Sequence, residues 1–417
     1  MGVKPGYKQT EVGEIPEDWE VVPLSDIASR IMVGIASAAT HAYRNSGIIM
    51  FRNQNIKPGY LEDNDVLFID ENYEATFKNK RLKDGDILTA RTGYPGTTCV
   101  VPKKHEGAQS FTTLITRPNN ERVGSQYLCD YINSENGQLY FEQNQIGGGQ
   151  KNVNAGSLKN LLVPLPPTLA EQEAIAAALS DADALIEALE QVIAKKSLVK
   201  QGAMQELLTG KRRLPGFRGE WETKRLDEIG HWTGGMTPSM QNPRYWNNPT
   251  TPWISSGDVK SVFLFSTAFS VSDLAIKQNM APLIQALSII VVMRSGILRK
   301  FFPVCMNMVP MSINQDIKAI IPLPTITSGY LLHTLIMNGE KILSQCLKSG
   351  TTVESIEFRW LKAFAISLPP LPEQSAIAAI LSDMDAEIAA LEDKLAKARR
   401  VKEGMMRELL TGRIRLV

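Results

Sequence analysis

The sequence is poor in cysteine: four in 417 residues (Cys99, Cys129, Cys305 and Cys346), each standing alone. Without a CxxC pair or a short ligand spacing there is neither a disulfide framework nor a zinc site, and the pattern fits a reducing compartment. Long apolar runs are missing too. The longest, residues 281–293, is interrupted by Pro282, Gln285 and Ser288 and is too short to span a bilayer. Neither sign of charge dominates, with 45 Lys+Arg against 44 Asp+Glu, so the sum neither announces nor excludes a nucleic-acid partner. The segment from Met1 to Gly6 holds no apolar core and no cleavage-like site, and a soluble cytoplasmic protein is expected. With 43% hydrophobic and 21% charged residues, the composition is that of a globular chain of two to four domains.

Catalytic constellations are also absent. The histidines His41, His105, His231 and His333 are isolated, and no HExxH, P-loop, GxGxxG or GxSxG motif occurs. The run Gly147-Gly148-Gly149 lacks the strand-turn-helix setting of a dinucleotide loop. One near miss is Asn242-Pro243-Arg244-Tyr245, which resembles the Asn-Pro-Pro-Tyr/Phe loop of adenine-N6 methyltransferases. Arg replaces the second Pro and no cofactor-binding glycine motif precedes it, so a surface loop presenting Arg244, Tyr245 and Trp246 is the expected reading.

What is present is a repeat. Residues 171–214 and 373–416 align without a gap at an offset of 202, with 28 of 44 positions identical. The same offset carries Trp19-Glu20 onto Trp221-Glu222, Leu24 onto Leu226 and Ile27 onto Ile229. Each copy has a short lead-in segment, a variable body and a long helix. The bodies differ: residues 31–150 carry 12 basic and 13 acidic residues, whereas 231–352 carry 9 and 4. Only punctuation survives between them, such as Arg91-Thr92-Gly93 against Arg294-Ser295-Gly296.

The repeated segments predict helices with a heptad seam. In the second copy the seam is Ile377, Leu381, Met384, Ile388, Leu391, Leu395 and Ala398; in the first it is Ile175, Leu179, Ala182, Ile186, Leu189 and Ile193. Further on the seam meets Lys200 and Lys402, so the stripe is expected to shift by a stutter onto Val199 and Val401. Prolines (Pro166-Pro167; Pro369-Pro370 and Pro372) mark the starts, and Gly210 and Gly412 the ends. The best-matched partner for each helix is its duplicate, in antiparallel sense; the alternatives are packing on its own body or pairing with another chain. The bodies read as strand-rich, with strands at 66–69, 86–90, 97–101, 262–265 and 288–293 and short helices at 125–133 and 329–337, giving an α+β class.

These segments carry a resemblance. Leu-Pro-Pro-x-x-x-Glu-Gln-x-x-Ile-Ala at 165–176, its one-residue-shorter version at 368–378, and the Glu-Leu-Leu-Thr-Gly helix ends are similar to the specificity subunit of type I restriction-modification systems. So are residues 253–260 and 293–300, and Gly85-Asp86-Ile87-Leu88 followed by Arg91 and Gly93. The resemblance implies two mixed α/β target-recognition domains separated by two long antiparallel helices forming a coiled coil, with a pseudo-two-fold internal repeat. The expected boundaries are 1–165, first target-recognition domain; 166–212, first spacer helix; 213–367, second target-recognition domain; 368–417, second spacer helix. It further implies a non-catalytic reader of double-stranded DNA that recognises a bipartite, asymmetric site and docks two adenine-N6 methyltransferase subunits, with restriction/translocase subunits joining that core. No cofactor is expected on this chain; S-adenosylmethionine, ATP and Mg belong to the partners. A coiled-coil scaffold that never touches DNA, or a stand-alone methyltransferase, are the alternatives.

Candidate DNA-binding residues in the first body are Arg52, Asn53, Gln54, Asn55, Lys57, Arg91, Thr92, Tyr94, Gln150, Lys151 and Asn152. In the second they are Arg244, Tyr245, Trp246, Ser255, Ser256, Lys260, Arg294, Ser295, Arg299, Lys300 and Thr351. Asn and Gln suit adenine edges, Arg suits guanine, and Lys suits phosphate. The alternative for each is a solvated loop residue, and for Tyr245 and Trp246 a local hydrophobic plug. The basic helix ends, from Lys195, Lys196 and Lys200 to Lys394, Lys397, Arg399, Arg400 and Lys402, are either solvated faces or contacts to unspecified DNA.

Overall fold

Two helices of 39 residues, Leu169–Leu207 and Leu371–Leu409, begin just past or within the proline runs, where a Pro costs no helical hydrogen bond. Both end on a glycine in left-handed backbone, Gly210 (φ +71°) and Gly412 (φ +69°), which terminates the helix at no steric cost. The computed structural model describes residues 4–144, 152–348 and 353–416. It divides into one unit of residues 1–188 with 394–417 and a second of residues 189–393. Among the described residues no helix is long and apolar enough to cross a membrane.

In the first unit, strands Thr98–Val100, Ile87–Thr89, Leu114–Pro118 and Ala28–Val33 form an antiparallel sheet in that order. A second sheet orders Gln109–Ser110, Ile48–Phe51, Leu67–Ile69 and Tyr43–Arg44, its first pair parallel. Helices Ser125–Asn133 and Glu135–Gln143 follow. The core joins Trp19, Leu24 and Ile27 of the lead-in segment to Tyr127 and Tyr131, and to Ile175, Leu179 and Leu409 of the long helices.

The second unit repeats the plan on different residues. A five-stranded sheet runs Gly230–Gly234, Ile317–Pro322, Ile289–Val292, Val304–Asn307, Phe263–Leu264. A mixed four-stranded sheet runs Phe269–Val271, Thr251–Ile254, Met311–Ile313, Leu283–Ile284. Helix Ser328–Met337 packs Tyr330, Leu331 and Leu335 into a core with Met204, Leu207, Ile377 and Leu381. Each Leu or Ile so buried contributes about 1.5–3 kcal/mol of transfer free energy.

Within the second unit the helices run antiparallel: Lys196 pairs with Glu387 and Lys200 with Asp385, so a step up one helix is a step down the other. The stutter expected from the sequence is not there. Val199 and Val401 are each 51% exposed, whereas Lys200 keeps its place in the seam with its side chain 11% exposed. The lysine stem packs like an aliphatic side chain while its ammonium reaches the Asp385 carboxylate. In the first unit Lys402 does the same with Asp183 at 2.5 Å. Lys196, Lys200 and Lys402 therefore make ion pairs within the helix pair and do not form a free basic face.

The Glu-Gln pair of the repeated motif has two separate uses. Arg415 donates to Glu171 at 2.8 Å in the first unit, and Arg213 donates to Glu373 at 2.6 and 2.7 Å in the second. Gln172 accepts from the Gly124 amide and Gln374 from the Thr327 amide, both at 2.9 Å, where the helices at 125 and 328 begin. One residue thus ties the start of one helix to the segment just past the end of the other, and the next ties helix to body.

Helix Ser125–Asn133 also holds a buried acid. Asp130 is 5% exposed, and burial pushes its carboxyl up to about 7, with Gln126 and Lys402 opposing the shift and Asp183 adding to it. A folded chain that keeps this proton is favoured fully below about pH 4, the unfolded value, and loses that contribution as pH rises to 7. Asp130→Asn should therefore stabilise the protein at pH 8 by on the order of 3 kcal/mol and change little at pH 4. Urea midpoints at the two pH values measure this; the same shift at both would contradict the assignment.

Candidate nucleic-acid interface

In the first unit the loops following Ile48–Phe51 and Ile87–Thr89 meet around a groove of about 680 Å³ lined by Arg52, Asn53, Gln54, Lys57, Thr92 and Tyr94, among others. Two of the residue sets proposed from sequence are thus brought together. Asn53 joins them: its Oδ1 accepts from the Arg91 amide at 2.7 Å and its amide nitrogen donates to Thr112 at 3.3 Å. Asn55 is 1% exposed; its Oδ1 accepts from the Arg52 amide and its nitrogen donates to the Asn64 carbonyl, so it shapes the loop from inside. Tyr94 is 84% exposed at the tip of a turn between Gly93 (φ +81°) and Gly96 (φ +94°), positions that only glycine takes without strain. Lys57 pairs with Glu62 at 3.2 Å, and Arg91 donates to the Val153 carbonyl at 3.4 Å, next to Asn152. Gln150 and Lys151 lie outside the described residues.

Asp65, unnoticed in the sequence, organises this groove. Arg52 donates to its carbonyl at 2.7 Å and its carboxylate at 3.0 Å, and Gln54 donates to the same carboxylate at 2.8 Å. Its backbone is left-handed, at φ +53°, an uncommon conformation that aspartate tolerates better than most residues. Nothing in the run Glu62-Asp63-Asn64-Asp65 singles it out; only the fold places it opposite Arg52.

The second unit has a different set. Asn242 caps the short turn Pro243–Tyr245 by accepting from the Arg244 amide at 3.2 Å. Tyr245 donates to Gln278 at 2.9 Å, and Trp246 packs edge-on against Trp253 with its indole N–H on the Ser239 carbonyl. Both rings lie against Val271, Ala275 and Ala281, the plug arrangement. Arg244 stays exposed. Ser255 donates to Asp258 at 2.6 Å, next to Ser256. Ser295 caps the turn Gly296–Arg299, and Arg299 pairs with Glu354, whose carboxyl it holds below the ordinary value. Arg244, Lys260, Arg294 and Lys300 are exposed and make no ion pair among the described residues. Thr351 lies outside them.

Among the described residues no group of His, Cys, Asp and Glu is placed to hold a metal. Burial pushes the Cys99 and Cys305 thiols up to about 12, so neither supplies a thiolate near neutral pH.

Loops of Arg, Asn, Gln, Lys and Tyr on two duplicated, unlike bodies fit a DNA reader. The model of the type I restriction modification DNA specificity domain matches residues 16–196 and again 218–399. The chain belongs to this type I specificity family. It is 39% identical to the EcoR124I/EcoR124II specificity subunit of Escherichia coli, over 40% of this chain and 41% of that protein. It is 25% identical to the putative MjaX specificity subunit of Methanocaldococcus jannaschii over 98% of this chain and 97% of that one. The fold resembles the crystal structure of an S subunit from M. genitalium, with a TM-score of 0.64 at 13% identity over 98% of each chain. As a member of a family of specificity subunits, the chain is not itself a catalyst.

The groove residues divide by how firmly they are held. Asn53→Ala should lower stability by about 1–2 kcal/mol, because it leaves the Arg91 amide without its acceptor. Tyr94→Ala should change it by less than about 0.5 kcal/mol. Guanidinium unfolding of both variants tests the division; equal effects would refute it.

Proposed function

We propose that this chain is the sequence-reading subunit of a type I restriction-modification complex. Each body serves as a target-recognition domain for one half of a bipartite DNA site, and the paired helices serve as the spacer. Two adenine-N6 methyltransferase subunits dock on the chain, and restriction subunits join through them. S-adenosylmethionine, ATP and Mg act on those partners, in the cytoplasm. The observation that carries the reading is the double occurrence of the family's specificity domain with unlike loop sets: a groove of Arg, Asn, Gln and Tyr in one unit, and exposed Arg244, Lys260, Arg294 and Lys300 in the other.

Different loops read different bases, so the two half-sites differ and the target is not palindromic. In the first unit Gln54 and Tyr94 stand in the groove with Thr92, and Asp65 keeps Arg52 and Gln54 side by side. In the second, Lys260 and Lys300 suit phosphate contacts, which fix position and carry no sequence information, and Arg244 and Arg294 suit guanine edges. The whole chain is nearly neutral, so binding by this subunit alone is weak, and partner subunits supply much of the positive surface.

The chain combined with its methyltransferase should methylate adenines in one gapped, asymmetric sequence, and methylate nothing without that partner. Arg91→Ala should impair reading of one half-site and Arg294→Ala of the other. Sequencing of modified adenines provides the readout. Methylation by the chain alone, no sequence preference in the complex, or equal damage to both half-sites by either variant would each reject the reading.

A further inference from the structure

In the groove of the first unit three side chains are joined by hydrogen bonds that run in one order. Arg52 makes two bonds to Asp65 through Nη2, one to the carbonyl at 2.7 Å and one to the carboxylate Oδ2 at 3.0 Å. Gln54 donates its amide nitrogen to the same Oδ2 at 2.8 Å. The loop that carries Asp65 is itself held. Glu62 pairs with Lys57 at 3.2 Å, Asp63 pairs with Lys104 at 2.6 Å, and the Asn64 carbonyl accepts from Asn55 at 3.1 Å. The Asp65 carboxylate is therefore a placed acceptor, although its side chain is 78% exposed.

This arrangement takes Arg52 out of base reading. A guanidinium reads guanine through a fork of two N–H groups, either Nη1 with Nη2 or Nε with Nη2. Both forks need Nη2, and its two protons are committed to Asp65. Nε is buried and meets no acceptor among the described residues. Arg52 is thus a brace. It also offsets the negative charge that Asp65 would otherwise set beside DNA phosphates.

Gln54 is left as the reader. The two ends of a glutamine amide are alike in shape and opposite in polarity, one a donor and the other an acceptor. An unrestrained amide turns either end to a base. A carboxylate accepts and does not donate, so Asp65 admits only the nitrogen. Oε1 of Gln54 then carries no hydrogen bond among the described residues, on an exposed side chain that lines the groove. The second N–H of the amide remains beside it. An acceptor next to a donor is the complement of the adenine edge, where N6–H lies next to N7. Guanine offers two acceptors there, O6 and N7, and would set O6 against the fixed Oε1. A half-turn of the amide would relieve that clash, but it takes the nitrogen off Asp65.

We propose that Asp65, braced by Arg52, is a positioning residue that fixes the sense of the Gln54 amide, so that Gln54 reads adenine and rejects guanine at one position of the first half-site. The inference deepens the reading given above and rests on it. It makes three residues answer for a single base, with only Gln54 touching that base.

The test uses the chain assembled with its methyltransferase and duplexes in which each base pair of the mapped first half-site is replaced in turn. Competition between duplexes reports their relative kcat/KM. Gln54→Ala locates the position at which discrimination collapses, and that position should hold adenine. Asp65→Asn keeps the shape of the side chain and suits the left-handed backbone at φ +53°. Its amide donates as well as accepts, which frees Gln54 to turn. The preference for adenine over guanine at that position should fall by about tenfold. Every position of the second half-site should be read as before. In a Gln54→Ala background the same Asp65→Asn change should alter the preference by less than about twofold. Arg52→Lys, which keeps the charge and loses the fork, should relax that position and no guanine elsewhere.

Full adenine preference in Asp65→Asn overturns the proposal. So does a loss at a position that Gln54 does not control, or an Asp65 effect that persists without Gln54, since Asp65 would then be reading a base directly. An equal loss at every position also counts against it, because a merely structural role would give that result. Failure of the underlying reading shows differently, as no sequence preference in the unaltered complex.

Discussion

The seam between the two long helices is the constraint on which the rest depends. Each helix alone is an amphipathic rod whose apolar stripe needs cover, and its duplicate supplies a matching stripe. Yet hydrophobic cover explains only that the helices meet. Which residue meets which follows from buried charge: an ion removed from water is tolerated only with its partner in place, so the contacts to Glu171, Glu373 and Asp385 act as positional conditions, whereas Asp183 is half-exposed. The lysine in the seam, at 200 and again at 402, is therefore a feature of the pairing and not a flaw in the heptad.

The same constraint explains why duplication preserved some parts and released others. A helix that packs on its own copy cannot change one face without the other, and the Glu, Gln, Asp, Lys and Arg positions are all held in both copies. Loops that meet solvent carry no such condition. The first body uses Asp65 to align Arg52 and Gln54, while the second exposes Arg244, Lys260, Arg294 and Lys300. Invariant fastening with variable loops is the physical form of a protein that changes what it reads while keeping how it assembles.

Much of this was legible in the residues because it is local or periodic. The helix at Ser125–Asn133 and the strands near 67–69, 87–89 and 289–292 announce themselves by pattern and by the Gly, Pro and Asn around them. Strands such as Ala28–Val33 and Ile317–Pro322 were missed, since Arg30 and Lys318 interrupt their apolar runs. Lys200 was misjudged because a sequence pattern scores lysine as polar, whereas the structure uses its aliphatic stem and delivers its charge to Asp385. At the candidate interface the loops were recognisable by residue type. The division of labour within them was not: Asn55 faces inward, Trp246 plugs against Trp253, and Asp65 aligns two neighbours, all through contacts with no sequence signature.

The most direct check of the central claim is whether the two helices of one chain lie antiparallel in solution. Lys196 and Glu387 meet at the solvent edge of the pair, and the four native cysteines are buried, so Lys196→Cys with Glu387→Cys gives two accessible thiols. A short bis-maleimide should join them within a single chain, leaving the mass on a denaturing gel that of the monomer and yielding one linked peptide. Links formed only between two chains, or none at all, would contradict the account.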